Sequence, residues 1–342
     1  TPYPKLLTLP KLGFEYSFDG FGRLKGQTYP RGSFKTVLSY AANGILTSVQ
    51  DASSGGILWE VDKLTPRGLV RSETLGDGSN TETEYRPGSS RVTDITAFDS
   101  AGTAILDLRY GHDRTGAVTR LEDQLHSFVE TFRYDERSRM VEATSPLGAL
   151  DYDYDNLGNM TKATGVGSYV YGDSTRPYLP TSIGGVQQYY DDAGRFKGDA
   201  LGRSVQWTGL GMVRKIEDAS SKVEYRYDAG GGRRLELTSA GRTYRFDDYE
   251  LDKNGNESVV IRGGGGIVAT GARAAGDPEF KLLYRHTDDI GNARVLTNES
   301  GQVVEERARG PFGEEYGVSW STAIGSTSDP ANRGLTGHRE PA

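Results

Sequence analysis

The sequence contains no cysteine, and it has only three methionines and three tryptophans among its 342 residues. The lack of cysteine excludes disulfide bonds, thiolate nucleophiles and cysteine-bound zinc together, but it fits a protein inside or outside the cell. No stretch approaches 18 consecutive apolar residues, and the mean hydropathy is −0.58, so a transmembrane helix is excluded. We expect no membrane insertion by this chain.

The sequence also lacks a large excess of charge of either sign. Forty basic side chains stand against 47 acidic ones, a net charge of −7, and no cluster of Lys and Arg is longer than a dipeptide. A duplex-binding protein needs a basic patch to neutralise phosphates, so we expect no nucleic acid partner. Thr1 is not followed by the charged and apolar regions of a signal peptide, so we expect a piece of a longer chain.

The aromatic and glycine content indicates the fold class. The chain has 20 tyrosines, 11 phenylalanines and 46 glycines. Tyrosine favours strands, while Gly and Pro favour turns. No stretch shows a sustained 3.6-residue hydrophobic period with helix caps. The composition therefore predicts an all-β chain.

An internal repeat dominates the sequence. Aspartate followed three residues later by glycine occurs about two and a half times more often than chance predicts, which is typical of a repeat array. The aspartates are Asp19, Asp99, Asp113, Asp155, Asp191, Asp199, Asp228, Asp252 and Asp288.

An aromatic residue precedes the aspartate in many copies, and the spacing of these copies indicates a unit of roughly 18–20 residues. In the copy at Tyr134, Ser138 takes the place of the glycine. The predicted structural repeat positions are Phe18, Asp19, Gly22, Phe98, Asp99, Gly102, Tyr134, Asp135, Tyr154, Asp155, Gly158, Tyr190, Asp191, Gly194, Tyr227, Asp228, Gly231, Asp288 and Gly291.

Each repeat has the features of a β-hairpin. An aromatic ends one strand, the aspartate can bond the backbone two residues on, and the glycine can adopt positive φ, which suits a type I turn closed by a bulge. Between turns, Val223, Tyr225 and Tyr227 alternate with Glu224 and Arg226, as in a strand with one apolar face. We predict tandem β-hairpins that form a curved or spiralling sheet.

These segments resemble the YD repeats of the Rhs family, and the resemblance covers roughly 10–25 and 105–340, with a poor match over 41–100. The segments that carry it are FDGFGRL at 18–24, YDNLGNMTKAT at 154–164, YDDAGRF at 190–196, DALGRSVQWTG at 199–209, YRHTDDIGN at 284–292, NESGQVVEERARGPFGE at 298–314 and RGLTGHRE at 333–340.

The resemblance implies a function. In that family the repeats form a hollow shell around a toxic C-terminal domain, in bacterial competition and in insecticidal toxin complexes. It thus implies a structural wall rather than an enzyme, secretion or delivery by a bacterial secretion system, and two kinds of partner: the enclosed toxin, and the rest of the same precursor or a partner shell protein. The family's cleavage aspartates lie beyond the segment around His338 and have no counterpart before Ala342.

Three segments are expected on this basis. Residues 1–104 would hold divergent hairpins, residues 105–260 the YD-repeat array, and residues 261–342 a glycine-rich connection and the start of the family's core-associated C-terminal region.

Two motifs have competing interpretations. Asp151, Asp153 and Asp155 follow the spacing of a calcium loop, but the glycine and bidentate glutamate of an EF-hand are missing, which favours a strand with aspartates facing water. Gly263 to Gly266 partly fits a dinucleotide-binding loop, but no crossover helix and strand follow. We interpret these glycines as a mobile connection between two hairpins and expect no cofactor.

The histidines at 112, 126, 286 and 338 have no metal-ligand spacing, and no nucleophile elbow is present. His286 and Asp288 could form an acid–base pair, but residues two apart on a strand share a face whatever their purpose. We therefore expect no catalytic or metal site.

A second function remains open. Exposed tyrosines could stack on sugars, so the chain could be an extracellular wall-associated or adhesion module that binds glycan. The recurrence of the tyrosines at the repeat period favours a structural role, because periodic residues are usually those that make repeats stack.

Overall fold

A computed structural model describes residues 12–313 and 316, and within them the fold is all-β. The fold class predicted from the sequence is confirmed. The one helical segment of this part of the chain is a short 3₁₀ turn, Pro30–Gly32. Turn signals recur too closely along the array for a long helix to fit between them.

The strands are short and follow one another without interruption. The first fifteen are β1 (Glu15–Phe18), β2 (Leu24–Thr28), β3 (Lys35–Tyr40), β4 (Leu46–Asp51), β5 (Ile57–Leu64), β6 (Val70–Leu75), β7 (Asn80–Tyr85), β8 (Val92–Phe98), β9 (Ala104–His112), β10 (Val118–Asp123), β11 (Phe128–Tyr134), β12 (Met140–Ser145), β13 (Gly148–Tyr154), β14 (Met160–Ala163) and β15 (Gly167–Val170). The remaining strands are β16 (Ser182–Ile183), β17 (Val186–Tyr190), β18 (Phe196–Asp199), β19 (Ser204–Trp207), β20 (Val213–Glu217), β21 (Lys222–Tyr227), β22 (Arg233–Thr238), β23 (Gly241–Phe246), β24 (Tyr249–Asp252), β25 (Glu257–Gly263), β26 (Gly266–Arg273), β27 (Lys281–Thr287), β28 (Ala293–Asn298) and β29 (Val303–Glu306).

The chain divides into two compact units. Unit 1 comprises the described residues up to 83, residues 96–105 and the described residues from 245 on, and unit 2 comprises residues 84–95 and 106–244. These units do not follow the three segments expected from the sequence, whose boundaries stay a prediction.

Antiparallel pairing between chain neighbours builds both units. In unit 1, β1 to β7 pair in succession, and so do β24 to β29. In unit 2 the succession runs from β9 to β23. Such a meander needs only local connections, which the turn residues supply.

The hairpin turns share one backbone geometry. In the turn after β13, the N–H of Asp155 donates to the carbonyl of Asn159 (2.9 Å), and the N–H of Gly158 donates to the carbonyl of Asp155 (3.1 Å). The register shifts between Asp153 and Tyr154, and Gly158 has φ 96°. This is the predicted turn with a bulge, and the corresponding glycines Gly22, Gly194 and Gly231 also have positive φ.

Unit 1 has a two-layered core. Strands β4 and β5 contact β25 and β26, and the buried cluster between the layers draws on both ends of the chain, including Trp59, Leu75, Tyr249, Ile261 and Tyr284. The C-terminal hairpins of unit 1 therefore bury the apolar face of its own N-terminal sheet.

In unit 2, buried and exposed side chains alternate along the strands, as expected of a sheet with one buried face. Along β9, Leu106, Leu108 and Tyr110 are buried, while Arg109 between them is exposed. Later strands of unit 2 carry further buried side chains, namely Phe128, Ala143, Tyr152, Ala163, Leu235 and Tyr244.

The glycine-rich segment is a turn inside one hairpin. Gly263 pairs with Gly266 at the ends of β25 and β26, and Gly264 and Gly265 have φ 59° and 92°, as a two-residue type I′ turn requires. The interpretation of these glycines as a mobile connection between two hairpins was therefore wrong.

Candidate functional site

Most repeat turns are closed by an aspartate side chain. The Asp135 carboxylate accepts bonds from the N–H groups of Arg137 (2.9 Å) and Arg139 (3.0 Å), and its second oxygen accepts from Arg139 Nε (2.7 Å). The bond from the Arg139 N–H, together with the Arg139 guanidinium, lowers the pKa of Asp135 below its usual range. The carboxylate thus holds the turn and positions the arginine that follows it.

This arrangement recurs along the chain. In each copy the carboxylate accepts from the N–H groups two and four residues on, and in most copies also from an Arg or Asn side chain. The other aspartates are Asp19, Asp99, Asp155, Asp191, Asp199, Asp228, Asp252 and Asp288.

The positioned arginine contacts the next repeat. The Arg139 guanidinium lies 4.5 Å from the centre of the Tyr154 ring, and its Nη1 donates to the Asp155 carbonyl (3.3 Å). The Tyr154 hydroxyl in turn donates to the carbonyl of Met140 (2.9 Å), the residue directly after Arg139. Three contacts therefore join one repeat to the next, and we call this set the repeat junction.

Junctions of the same kind occur in both units. Tyr40 donates to the Leu24 carbonyl (2.7 Å) under the Arg23 guanidinium, and Trp207 Nε1 donates to the Phe196 carbonyl (2.7 Å). Further aromatic hydroxyls bond the preceding repeat in the same way, those of Tyr134, Tyr171, Tyr190 and Tyr227.

The repeat tyrosines are therefore engaged within the array. Burial raises the pKa of Tyr134, Tyr154 and Tyr190 above the usual value for a phenol. Phe18 differs, since it lies on the first described strand and is 61% exposed. Other exposed tyrosines, such as Tyr178 and Tyr189, are not at repeat positions.

His286 and Asp288 do not form the acid–base pair that their spacing allowed. The Asp288 carboxylate closes its own turn through the N–H groups of Ile290 and Asn292. The His286 imidazole lies against hydroxyls instead, with Nδ1 at 3.4 Å from Thr81 Oγ1 and Nε2 at 3.3 Å from Thr297 Oγ1. Its side chain is 1% exposed, so no substrate reaches it.

The other histidines are separate from this cluster. His126 Nδ1 lies 3.0 Å from the Asp123 carboxylate in a turn of unit 2, and His112 ends β9. Burial lowers the pKa of His112. His338 lies outside the described residues.

A protein-family model named Teneurin YD-shell matches residues 9–247, well over half of the chain. The chain belongs to the Teneurin YD-shell family. The resemblance to YD-repeat proteins drawn from the sequence is thereby confirmed. No curated protein sequence matches this YD-shell chain.

Solved structures show the same fold. The TcdB2-TccC3-TEV crystal structure matches with a TM-score of 0.79 at 18% identity over 97% of this chain and 19% of that chain. The TcdB2-TccC3-Cdc42 crystal structure matches with a TM-score of 0.75 at 18% identity over 89% and 18%. The Photorhabdus luminescens Tc holotoxin pore matches with a TM-score of 0.70 at 18% identity over 88% and 18%. The YD-shell chain thus spans about a fifth of the length of these structures.

Sequence reasoning missed repeats whose turn lacks aspartate. The turns that begin at Ala41, Thr65 and Thr208 have the same pair of backbone bonds as the aspartate turns. In two of them the threonine Oγ1 accepts the N–H four residues on, from Leu69 (3.1 Å) and Met212 (3.1 Å). Residues 41–100 are therefore YD-shell hairpins as well, and glycine at the fourth turn position was the signal that could have found the turns at Ala41 and Thr65.

The arginine or asparagine directly after the turn glycine was also missed. The pattern Asp-x-x-Gly-Arg is visible at Asp19, Asp191 and Asp199, and its arginine is the residue that reaches the carboxylate. The structure does not support a calcium loop at Asp151, Asp153 and Asp155, because the Asp155 carboxylate accepts the N–H groups of its own turn. No group of three His, Asp or Glu side chains in residues 12–313 and 316 is placed to hold a metal ion.

The structure contains no helix, within its described ranges, that is long and apolar enough to cross a membrane.

Proposed function

We propose that this YD-shell chain is part of a wall that encloses or presents a C-terminal toxin domain. The remainder of the wall would come from the same precursor or from a partner shell protein. The chain itself would carry no catalytic activity, and the assembly would be secreted or delivered by a bacterial secretion system.

The repeat junction is the observation that carries this proposal. Its aspartate, arginine and tyrosine side chains, as in Asp135, Arg139 and Tyr154, bond other parts of the array. Side chains used in this way make neighbouring repeats stack rather than bind a ligand. The array is thus built as a continuous wall.

The lengths of the matched structures support the proposal that other segments or chains complete the wall. The matched structures are about five times longer than this chain, and two of them carry TcdB2-TccC3 in their names. A hairpin array exposes backbone N–H and C=O groups at its edge strands, and such edges pair with compatible strands. Among the described strands β1 pairs with β2 alone, and all four of its residues are exposed.

Glycan binding by the repeat tyrosines is less well supported. Arg139 covers one face of the Tyr154 ring, which is the surface that a sugar would stack on. Tyr178 and Tyr189 remain exposed, and they give this second function a defined test.

Light scattering at increasing concentration tests the wall. We expect the 342-residue chain to associate as its concentration rises, and the variant Tyr16→Lys/Phe18→Lys to associate less, because charges on an edge strand oppose strand pairing. The matched control is Tyr178→Lys/Tyr189→Lys in unit 2, which should associate like the unmodified chain. A concentration-independent monomer with cooperative unfolding would contradict the proposal.

Protease protection tests the enclosure. In the natural chain that contains these residues, the segment that follows them should resist cleavage while the array is folded. Gly158→Val, which breaks a turn of the array, should make it sensitive. Glycan-array binding that disappears in Tyr178→Ala/Tyr189→Ala would favour the adhesion module instead.

A further inference from the structure

A buried polar cluster inside unit 1 joins two hairpins that are far apart in the sequence. Asp77 lies in the turn between β6 and β7, with Ser79 beside it, and Thr81 follows in β7. His286 and Thr297 come from the paired strands β27 and β28. Between 205 and 220 residues separate the contacting partners, so the cluster connects an N-terminal hairpin to a C-terminal hairpin. We call it the histidine cluster.

The hydroxyl protons of the cluster have defined acceptors. Ser79 Oγ donates to Asp77 Oδ1, and Thr297 Oγ1 donates to Asp77 Oδ2. A hydroxyl has a single proton, so both oxygens can only accept from the imidazole. His286 Nε2 lies 3.5 Å from Ser79 Oγ and 3.3 Å from Thr297 Oγ1. The proton of the neutral imidazole is therefore on Nε2.

The other ring nitrogen accepts. Nδ1 lies 3.4 Å from Thr81 Oγ1, and that hydroxyl can donate to it. The neutral imidazole of His286 is thus satisfied on both sides by hydroxyls. A second proton on Nδ1 would force the Thr81 hydroxyl to turn from donor to acceptor, and the positive charge would be buried with no carboxylate of residues 12–313 or 316 in direct contact.

We propose that His286 makes the contact between these hairpins acid-sensitive: the neutral imidazole holds the β6–β7 hairpin against β27 and β28, and its protonation weakens that contact. The proposal does not rest on the presence of a toxin or a shell partner.

The charged groups around the cluster determine the direction of the pH effect. Burial lowers the pKa of His286 to about 4, and the Asp77 carboxylate opposes this in part. Tyr284, on the same strand, has a pKa raised by burial and stays neutral. In the loop after β27, burial raises the pKa of Asp288, and Arg294 opposes that shift.

The sign follows from proton binding. An unfolded histidine has a pKa of about 6.5, above the folded value, so the unfolded chain binds more protons between the two. The histidine contribution to stability is therefore present above about pH 6.5 and is lost as the pH falls towards the folded pKa. One proton changes the ratio of folded to unfolded chain by up to about tenfold per pH unit.

The cluster is not a hydrolase site. It contains serine, histidine and aspartate, but the Asp77 carboxylate bonds Ser79 rather than the imidazole. Ser79 is 0% exposed, so no ester or amide reaches its oxygen. The arrangement is suited to holding two hairpins together.

The first test compares denaturant unfolding of the whole chain at about pH 7 and pH 5, followed by the fluorescence of Trp59, which is buried in unit 1. The substitutions Trp207→Phe and Trp320→Phe, made in every variant, leave Trp59 as the one tryptophan. We expect His286→Gln to lose clearly less stability on acidification than the parent. The matched control His112→Gln lies in unit 2, so the Trp59 signal, which reports unit 1, should respond to pH as it does in the parent. An equal loss in His286→Gln and parent would overturn the proposal.

A second measurement applies even if His286→Gln does not fold. The variant His112→Gln/His126→Gln/His338→Gln leaves His286 as the one histidine, so its Cε1–H resonance needs no assignment. We expect this resonance to keep its neutral position to well below pH 6 and then to shift together with exchange broadening of unit 1. Titration near pH 6.5 with unit 1 unperturbed would contradict the proposal.

Discussion

The indole ring of Trp59 lies directly against Gly263, so that a β-carbon built on this glycine would come within 2.6 Å of Cδ2. Trp59 is 0% exposed, and its Nε1 donates to Glu73 (2.6 Å), which fixes the ring. The N-terminal sheet and the β25–β26 hairpin of unit 1 therefore meet at a point that has room for no side chain.

Gly263→Ala should destabilise unit 1 by about 1–3 kcal/mol, because overpacking a fixed aromatic ring forces the backbone or the ring to shift. Gly266→Ala is the matched control, since its β-carbon would meet nothing within 4 Å. Thermal unfolding followed by Trp59 fluorescence measures both. Equal melting temperatures for the two variants would show that the ring moves aside freely.

Ser138→Gly should stabilise the array. Ser138 has φ 60° where the other turns have glycine, and the left-handed conformation strains a residue with a β-carbon by more than the extra flexibility of glycine in the unfolded chain. We expect a gain of about 0.5–1 kcal/mol by urea denaturation. The reverse change, Gly158→Ser in the next repeat, should lower stability, and a gain there would mean that this turn tolerates serine.

Tyr154→Phe should cost about 0.5–1.5 kcal/mol, because it leaves the Met140 carbonyl without the phenol proton of the repeat junction. Tyr178→Phe, at a tyrosine that is 65% exposed, should change stability little. Urea unfolding of both variants gives the comparison. If the two losses are equal, the hydroxyl of the junction contributes nothing to stacking.

Asp218→Asn should reduce the loss of stability in acid. The N–H of Ser220 donates to the carboxylate, as do its hydroxyl and both donors of Ser221, and these bonds lower the pKa of Asp218 to about 2. Its contribution is present above the unfolded pKa of about 3.9 and is lost as the pH falls towards the folded value. Melting temperatures across this range should fall less steeply in the variant than in Asp153→Asn, an exposed strand carboxylate.

The hairpins could be predicted from sequence because their geometry is local. Asp155 and Gly158 are three residues apart, and the turn chemistry of these two residue types fixes the backbone between them. A prediction based on these two residue types misses turns that other residues form. At Thr65 and Ala41 the backbone adopts the same turn with a weaker side-chain bond or none, so a search for aspartate overlooked them.

The packing within unit 1 could not be predicted in this way. His286 meets Ser79 and Thr81 across more than 200 residues, and a sequence without an alignment has no signal for pairs at that separation. Gly263 likewise lies in a turn whose glycine is required by Trp59, which is far away in the chain. The sequence pattern indicated a connection there because glycines alone do not reveal what lies against them.

The repeat junction has a consequence for how such chains change over evolution. Because Arg139 holds its own aspartate on one side and the next tyrosine on the other, a hairpin with this set of residues carries its own means of binding its successor. A duplicated or deleted hairpin pair therefore leaves the surviving junctions chemically unchanged, so array length can vary by whole units without compensating substitutions elsewhere. The length of a wall built from such hairpins can thus grow or shrink through gene duplication and deletion alone.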